Sequence, residues 1–157
     1  MDAAPSAPPV RIRIEPGRFD PAGEVAWLNA LDGAGAVTCF TGLCRAEGGR
    51  LAGLELEHFP GMAEEEIGRV VEEACRRWPL LGVHVVHRAG HILAGEEIVA
   101  VGTASSHRAA SFQACEFVMD WLKTSAPFWK REILADGSFG EWIEAKASDD
   151  RAADRWA

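Results

Sequence analysis

The chain has 157 residues, of which 48% are hydrophobic and 25% charged, as in an ordinary globular domain, and this excludes wholesale disorder. Its net charge of -8 and isoelectric point near 5.1 argue against general binding to nucleic acid or to an anionic membrane, but they allow a local basic pocket. The four cysteines form no CxxC pair, which favours reduced thiols and a cytoplasmic location. No apolar run in the sequence approaches the roughly 18 residues of a membrane span.

The first sixty residues predict a tail, three strands and a short helix. Residues 1–10 are rich in Ala and Pro and lack the pattern of a signal peptide, so they predict a mobile tail before a single domain at 11–157. Alternation in "VRIRIEP" and "LAGLELEHF" is typical of strands, and "EVAWLNAL" predicts the helix. The β-rich, apolar stretch "GAVTCFTG", residues 35–42, predicts a buried strand.

Two main helices are predicted by apolar residues that recur at helical spacing. The first spans Met62 to Trp78, because Pro79 prevents its continuation. The second begins near Ser106 as its N-cap and runs to about Ser125. The apolar stripes are Ile67, Val70, Val71, Ala74 and Trp78 in the first helix and Phe112, Cys115, Met119 and Leu122 in the second.

The rest of the chain predicts two pairs of strands. "GVHVVHRAG" and "EEIVAVGTA" surround a turn at Gly95, and "PFWKREIL" and "FGEWIEA" surround the turn "ADGS". "SDDRAADRW" predicts a short terminal helix. Paired strands together with two main helices favour an α+β fold with a mainly antiparallel sheet.

Metal and thiol chemistry is disfavoured by residue spacing. Residues three apart on a strand face opposite sides, so His84 and His87 cannot easily share an ion, and no metal site is predicted. Cys115 and His107 are eight residues apart on one helix, about 12 Å along its axis, which is too far for a thiolate–imidazole pair. We therefore interpret His84, His87 and His91 as ordinary strand and turn residues and the cysteines as structural.

Two basic segments leave a functional and a structural interpretation open. In "SSHRAAS", His107 and Arg108 stand at the start of the second helix, where free backbone N–H groups and the helix dipole favour an anion. An ordinary helix cap with an exposed His-Arg pair explains the same residues equally well. Arg45 follows a strand and precedes Gly48 and Gly49, so it is either a ligand contact or a solubilising residue.

The stretch "WLKTSAPFWKRE" places cations among aromatic residues in an acidic chain. At about 100° per residue, Arg108 and Lys123 lie about 40° and 20° from Phe112, so both border the apolar stripe of the second helix and are candidates for one pocket. Either Lys130 pairs with a carboxylate such as Glu132 while Lys123 reaches solvent, or the two lysines face a ligand.

Several segments, taken in order, resemble the catalytic large subunit family of molybdopterin synthase. They are "VTCFTGLCR", "LELEHFPGMAEEEI", "RRWPL", "VHRAGHILAGEEIVAVGTASSHRAASFQACEFVMDWLKTSAPFWKRE" and "WIEAKASDD". Together they cover most of the chain from about Gly35 to Asp150, and the long segment is highly specific.

The resemblance implies a fold, an activity and partners. The implied fold is α+β with a hammerhead-like subdomain, in a homodimer that binds a small ubiquitin-like sulfur-carrier subunit at each end and so forms a heterotetramer. The implied activity is that of a sulfurtransferase in molybdenum cofactor biosynthesis. It converts cyclic pyranopterin monophosphate to molybdopterin with sulfur from the C-terminal Gly-Gly thiocarboxylate of the carrier, and no metal or cofactor is implied.

The resemblance also implies the site residues. The basic pocket of the family maps onto Arg45, His107, Arg108, Lys123 and Lys130. Lys123 is implied as the group at the acyl or sulfur-transfer centre, with Lys130 beside it for charge stabilisation. All five are implied in substrate binding, some of them from the opposite protomer. Phe40 and Met119 are implied as apolar pocket walls, and Lys146 stands where the family often has arginine.

A rival hypothesis assigns the same basic residues to binding alone. The chain would then be a non-catalytic module that holds the carboxylate tail of a partner protein. The two hypotheses differ in whether the pterin is converted when the carrier is bound.

Overall fold

The structure is a computed structural model that describes residues 6–124, 128–143 and 154–156. Over these residues the chain forms eight strands and three helices, and the predicted α+β class is confirmed. In chain order they are β1 (Val10–Glu15), α1 (Pro21–Asn29), β2 (Ala36–Leu43), β3 (Leu51–His58), α2 (Met62–Arg77), β4 (Leu80–Arg88), β5 (Gly90–Leu93), β6 (Glu97–Ser105), α3 (Arg108–Thr124), β7 (Phe128–Leu134) and β8 (Phe139–Ile143).

The strands form two four-stranded sheets. The first has the order β1-β4-β6-β2 and the second the order β5-β3-β7-β8. Among the described residues, every strand pairing is antiparallel except that of β1 with β4, which is parallel. The mainly antiparallel arrangement is therefore confirmed, while the hammerhead-like subdomain stays a prediction.

The main core lies between the first sheet and helices α2 and α3. The stripe predicted for α2 is confirmed, because Ile67, Val71 and Ala74 are buried and Trp78 packs against them as the C-cap. Glu64 and Glu65 occupy the first turn, where the positive end of the helix dipole stabilises carboxylates. This burial fixes the two helices against the sheet that carries them.

Helix α3 begins at Arg108, one residue later than an N-cap at Ser106 predicts, and is bonded to the first sheet through Ser111. The Thr103 hydroxyl donates to the Ser111 carbonyl at 2.6 Å, and the Thr38 hydroxyl donates to the Ser111 hydroxyl at 2.9 Å. The rest of the predicted stripe is buried, but Phe112 is 60% exposed, so its placement in the core was wrong. Because α3 is held at its start, the position of its last turn is fixed as well.

Two strand predictions need correction. Residues 35–42 were predicted as a buried strand, but β2 is one of the two edge strands in the described first sheet, and Phe40 is exposed. The single turn predicted at Gly95 contains a further strand, β5, which leaves the first sheet and pairs with β3 in the second. These differences arise because strand partners are chosen by long-range packing rather than by local pattern.

Three sequence predictions fall wholly or partly outside the described residues. They concern the end of the second helix at Ser125, the contact of Lys146, and the terminal helix predicted from "SDDRAADRW". The predicted mobile tail at residues 1–10 is described only from residue 6, and Val10 already belongs to β1.

Close approach of β3 and β5 requires glycine at position 53. A Cβ atom added to Gly53 would lie 2.1 Å from the Ile92 carbonyl oxygen, a backbone atom that cannot rotate away. We expect Gly53→Ala to lower the free energy of unfolding by about 2 kcal/mol, since over-packing typically costs 1–3 kcal/mol. Denaturant unfolding followed by circular dichroism measures this change.

A matched control is Gly68→Ala in α2. A Cβ atom there would come no closer than 3.9 Å to the Ile12 side chain, and alanine favours a helix by roughly 1 kcal/mol over glycine. Gly68→Ala should therefore raise stability. Equal effects of the two substitutions would contradict the close approach of the strands.

Candidate active site

A cleft of about 550 Å³ lies where the two sheets meet the last turn of α3. Strands β2, β3, β4 and β6 supply one part of its lining, and α3, β7 and β8 supply the other. The side chains around it are mainly apolar or aromatic: Phe40, Leu43, Leu54, Leu56, Ile98, Val99, Met119, Leu122, Phe128, Trp129 and Trp142. Such a cleft suits a ligand that buries an apolar or extended portion.

Two ammonium groups enter this apolar cleft. Lys123 stands in the last turn of α3, where the negative end of the helix dipole stabilises a cation, and Lys130 stands on β7. Apolar walls weaken the screening of these charges by water, so an anion in the cleft is attracted more strongly than at an open surface. The arrangement is chemically suited to binding an anionic group and to stabilising negative charge that develops on it.

Two carboxylates on strands of the second sheet are bound by arginines. The Arg50 Nη1 donates to Glu132 at 3.1 Å, and the Arg131 Nε donates to Glu55 at 2.7 Å. Glu132, the internal partner suggested for Lys130, makes an ion pair with Arg50. Arg131 lies over the ring of Phe139 at 3.8 Å, outside the cleft lining.

The predicted wall residues Phe40 and Met119 both line the cleft together with Lys123 and Lys130. The structure brings these four residues into one place from three separate elements. Arg45 is different: its side chain is 77% exposed just after β2, and its Nη2 lies 3.9 Å from Glu47. In the described part of the chain Arg45 does not line the cleft.

His107 and Arg108 are also outside the cleft of their own chain. Both are exposed, at the start of α3, whereas Lys123 is in its last turn. Fifteen residues of helix separate Arg108 from Lys123, which is roughly 22 Å at 1.5 Å per residue. The sequence placed both residues on one side of the helix, but within one chain the structure does not bring them to one pocket.

One cleft residue, His87, was missed by sequence reasoning. Its ring is buried and stacks on Phe128 with the ring centres 3.8 Å apart. Burial lowers the pKa of His87 to about 4, and the positive charge of Lys123 and the neighbouring His58 add to this lowering. The available signal was a polar residue among the valines of the predicted strand "GVHVVHRAG".

The thiols of Cys115, which is buried, and Cys39, which is partly buried, are not activated. Cys115 donates to the Val101 carbonyl at 3.5 Å, and burial raises the pKa of Cys115 to about 12. Burial likewise raises the pKa of Cys39, whose sulfur lies 3.8 Å from His84 Nε2. Both thiols are protonated at physiological pH, as the structural interpretation of the cysteines requires.

Metal-binding groups and membrane-spanning helices were sought in residues 6–124, 128–143 and 154–156. In these segments no three His, Cys, Asp or Glu side chains are placed to hold a metal ion. The helices in the same segments are too short or too polar to cross a membrane.

Comparison with known proteins identifies the class to which this fold and cleft belong. A family model described as MoaE protein matches residues 14–125, so the chain belongs to the MoaE protein family. The molybdopterin synthase catalytic subunit of Mesorhizobium japonicum is 56% identical over 146 residues, which cover 92% of each chain. The predicted family and the predicted class of sulfur-transferring enzyme are therefore confirmed.

Solved structures give the same result for the fold. The molybdopterin biosynthesis MoaE protein from Burkholderia ambifaria matches with a TM-score of 0.80 and 46% identity, over 94% of this chain and 97% of that one. A complex of subunits 1 and 2 of molybdopterin-converting factor from Helicobacter pylori matches with a TM-score of 0.71 and 19% identity, over 87% of this chain and 90% of that one. At that identity the second match supports the fold alone.

Proposed function

We propose that this chain transfers sulfur from the C-terminal thiocarboxylate of a small carrier subunit to cyclic pyranopterin monophosphate, forming molybdopterin in the cytoplasm. The observation that carries the proposal is the pair Lys123 and Lys130 in an otherwise apolar cleft. Membership of the MoaE family supports the reaction, and the four free cysteines agree with the compartment.

The cleft suits the end of a Gly-Gly tail. Glycine has no side chain, so an extended Gly-Gly segment fits between the apolar walls while its anionic end reaches the lysines. In each transfer the sulfur bonds to a carbon of the pterin substrate as a carbon–oxygen bond of that carbon breaks, and the oxygen departs with phosphate or as water. Water then attacks the acyl carbon, the bond from sulfur to that carbon breaks, and the water oxygen remains on the carrier as part of its carboxylate. Negative charge develops on the acyl oxygen during this exchange.

Lys123 and Lys130 have different roles in the proposal. Lys123 takes part directly at the acyl or sulfur-transfer centre, because the last turn of α3 presents its amine at the cleft. Lys130 acts beside it and stabilises the developing negative charge. Phe40 and Met119 form apolar walls that exclude water from the reacting atoms.

The phosphate of the substrate is assigned to Arg45, His107 and Arg108. The last two stand at the start of α3, where backbone N–H groups favour anions. Because Arg108 is roughly 22 Å from Lys123 along the helix, we propose that these residues reach the cleft of a second protomer. Each active site of the homodimer would then combine lysines from one chain with phosphate-binding residues from the other.

Exposed aromatic residues at the cleft support a partner subunit. Trp129 and Trp142 both line the cleft and are 45% and 44% exposed. Large apolar side chains in such positions are typical of protein-binding surfaces. The proposed partner is the small carrier, one for each protomer.

A reconstitution assay tests the proposed function against the binding-module hypothesis. Purified chain, thiocarboxylated carrier and cyclic pyranopterin monophosphate should give molybdopterin, whereas the same carrier with an ordinary carboxylate should bind and give none. Formation is followed by fluorescence of the oxidised pterin product. Binding of the thiocarboxylated carrier without conversion would contradict the proposal and favour the module.

A further inference from the structure

The imidazole of His87 lines the cleft, and the roles proposed for the two lysines assign it no function. His87 is 7% exposed, lies on β4 and lines the cleft together with Lys123. Its ring is held on one face by Phe128, which is inclined to it by only 12°. The ring therefore has a fixed orientation in the cleft.

The hydrogen bond of His87 determines its tautomer. Nδ1 lies 2.8 Å from the backbone carbonyl oxygen of Arg88, and a carbonyl oxygen only accepts, so Nδ1 carries the proton. Nε2 of the neutral ring is then a hydrogen-bond acceptor. Because the pKa of His87 is lowered to about 4 by burial, the ring stays neutral at physiological pH.

The charged and indole side chains around the cleft supply donors, while the Thr124 hydroxyl, which donates to the Asp120 carbonyl at 3.2 Å, can also accept. Lys123 and Lys130 carry ammonium groups, and the indoles of Trp129 and Trp142 can only donate. His87 and Lys123 line the same cleft, and the positive charge of Lys123 contributes to the lowered pKa of His87. A group that attracts an anion and a group that accepts an N–H thus line one cleft.

This pairing matches the end of a peptide tail. In a terminal glycine the amide N–H is two bonds from the anionic carbon. Building on the proposed function, we propose that Nε2 of His87 accepts the N–H of the terminal glycine of the carrier and so directs its anionic end to Lys123. The lone pair of Nε2 repels the anionic end itself, which enforces this direction of the tail. His87 is thus a positioning residue of the tail site.

Two substitutions separate the two nitrogens of His87. Asparagine places its amide N–H near the position of Nδ1 and keeps the bond to the Arg88 carbonyl, but it offers no acceptor in the cleft. Glutamine places its oxygen near the position of Nε2 and keeps the acceptor. If His87 serves only the fold, His87→Asn should impair the protein less than His87→Gln, because it keeps the bond to the Arg88 carbonyl. If His87 binds the tail, His87→Gln should impair binding less than His87→Asn, because it keeps the acceptor.

The test is a thermodynamic cycle in binding affinity. Each protein is titrated by calorimetry with two carboxylate-ended carriers, one with the normal terminal amide and one with an ester oxygen in place of that N–H. Wild type should bind the amide carrier about 10-fold more tightly, and this ratio should fall to about 1 in His87→Asn and remain above about 3 in His87→Gln. Because each ratio compares two carriers on one protein, a general loss of stability does not imitate the effect.

Two results would overturn the inference. One is the same amide-to-ester ratio in wild type and His87→Asn. The other is a ratio near 1 in wild type, together with a raised KM for the pterin in His87→Asn, since His87 would then contact the pterin. Failure of the proposed function is seen separately, as the absence of molybdopterin when wild type is given thiocarboxylated carrier.

Discussion

Replacing Lys123 by alanine is expected to reduce molybdopterin formation on the order of a thousandfold. The substitution removes the cation that α3 presents to the reacting carbon in a cleft with apolar walls. Loss of one group that stabilises transition-state charge typically costs 10²–10³ in kcat, and loss of a directly participating amine adds to this. Single-turnover formation of the product with saturating thiocarboxylated carrier measures the effect.

Controls for this substitution separate chemistry from folding. The Lys123 side chain is exposed, so Lys123→Ala should unfold within about 0.5 kcal/mol of wild type. Lys123→Arg keeps the charge but not the amine, and it should remain strongly impaired if the amine participates directly. Near-normal turnover by Lys123→Ala would remove Lys123 from the active site.

Mixing two inactive variants is expected to restore activity. If Lys123 of one protomer works with Arg108 of the other, a dimer of one Lys123→Ala chain and one Arg108→Ala chain retains one intact site. The other site of that dimer carries both substitutions. Random pairing makes half of the dimers mixed, and each mixed dimer has one intact site out of two. About one quarter of wild-type activity should therefore return from two nearly inactive parents.

The measurement uses both chains co-expressed with different affinity tags, followed by isolation of the mixed dimer. That dimer should turn over at about half the wild-type rate. A useful comparison is the mixture of Lys123→Ala with Lys130→Ala, since both lysines line one cleft and both belong to one chain. We expect that mixture to stay inactive. It would recover activity only if Lys123 and Lys130 of one site came from different protomers.

Absence of recovery in the Lys123 and Arg108 mixture would contradict the shared site. The roughly 22 Å between these residues along α3 would then have to be spanned by the substrate within one chain.

The sequence predicted those parts of the fold in which local pattern and burial agree. Helix α2 is an example, because Ile67, Val71 and Ala74 recur at helical spacing and the same three residues are buried. The turn between β7 and β8 is another, since its residues bring neighbouring strands together. In both cases the structure depends on contacts between residues close in the chain.

Long-range pairing was the part that the sequence could not supply. The short strand β5 has the pattern of a turn, and its place in the second sheet depends on β3, more than thirty residues earlier. The parallel pairing of β1 with β4 likewise joins distant segments. No local propensity distinguishes these pairings from a simple hairpin.

The candidate site shows the same limit. A helical wheel gives the angle of a residue about the axis but not its distance along it, so Arg108 and Lys123 looked adjacent although they stand at opposite ends of α3. His87 was passed over because spacing argued only against a metal, and its contact with Phe128 joins two different sheets. The resemblance to a family indicated which residues belong to the site, and the structure showed how far apart Arg108 and Lys123 lie within one chain.

The most direct test of sulfur transfer in the lysine cleft follows the sulfur atom itself. A carrier whose thiocarboxylate contains ³⁴S is mixed with wild-type chain and cyclic pyranopterin monophosphate for a single turnover, and the product is weighed by mass spectrometry. We expect the label in the pterin, one carrier converted to its carboxylate for each sulfur gained, and no labelled pterin with Lys123→Ala. Label that remains in a bound carrier with wild type, while the pterin is unchanged, would contradict the account.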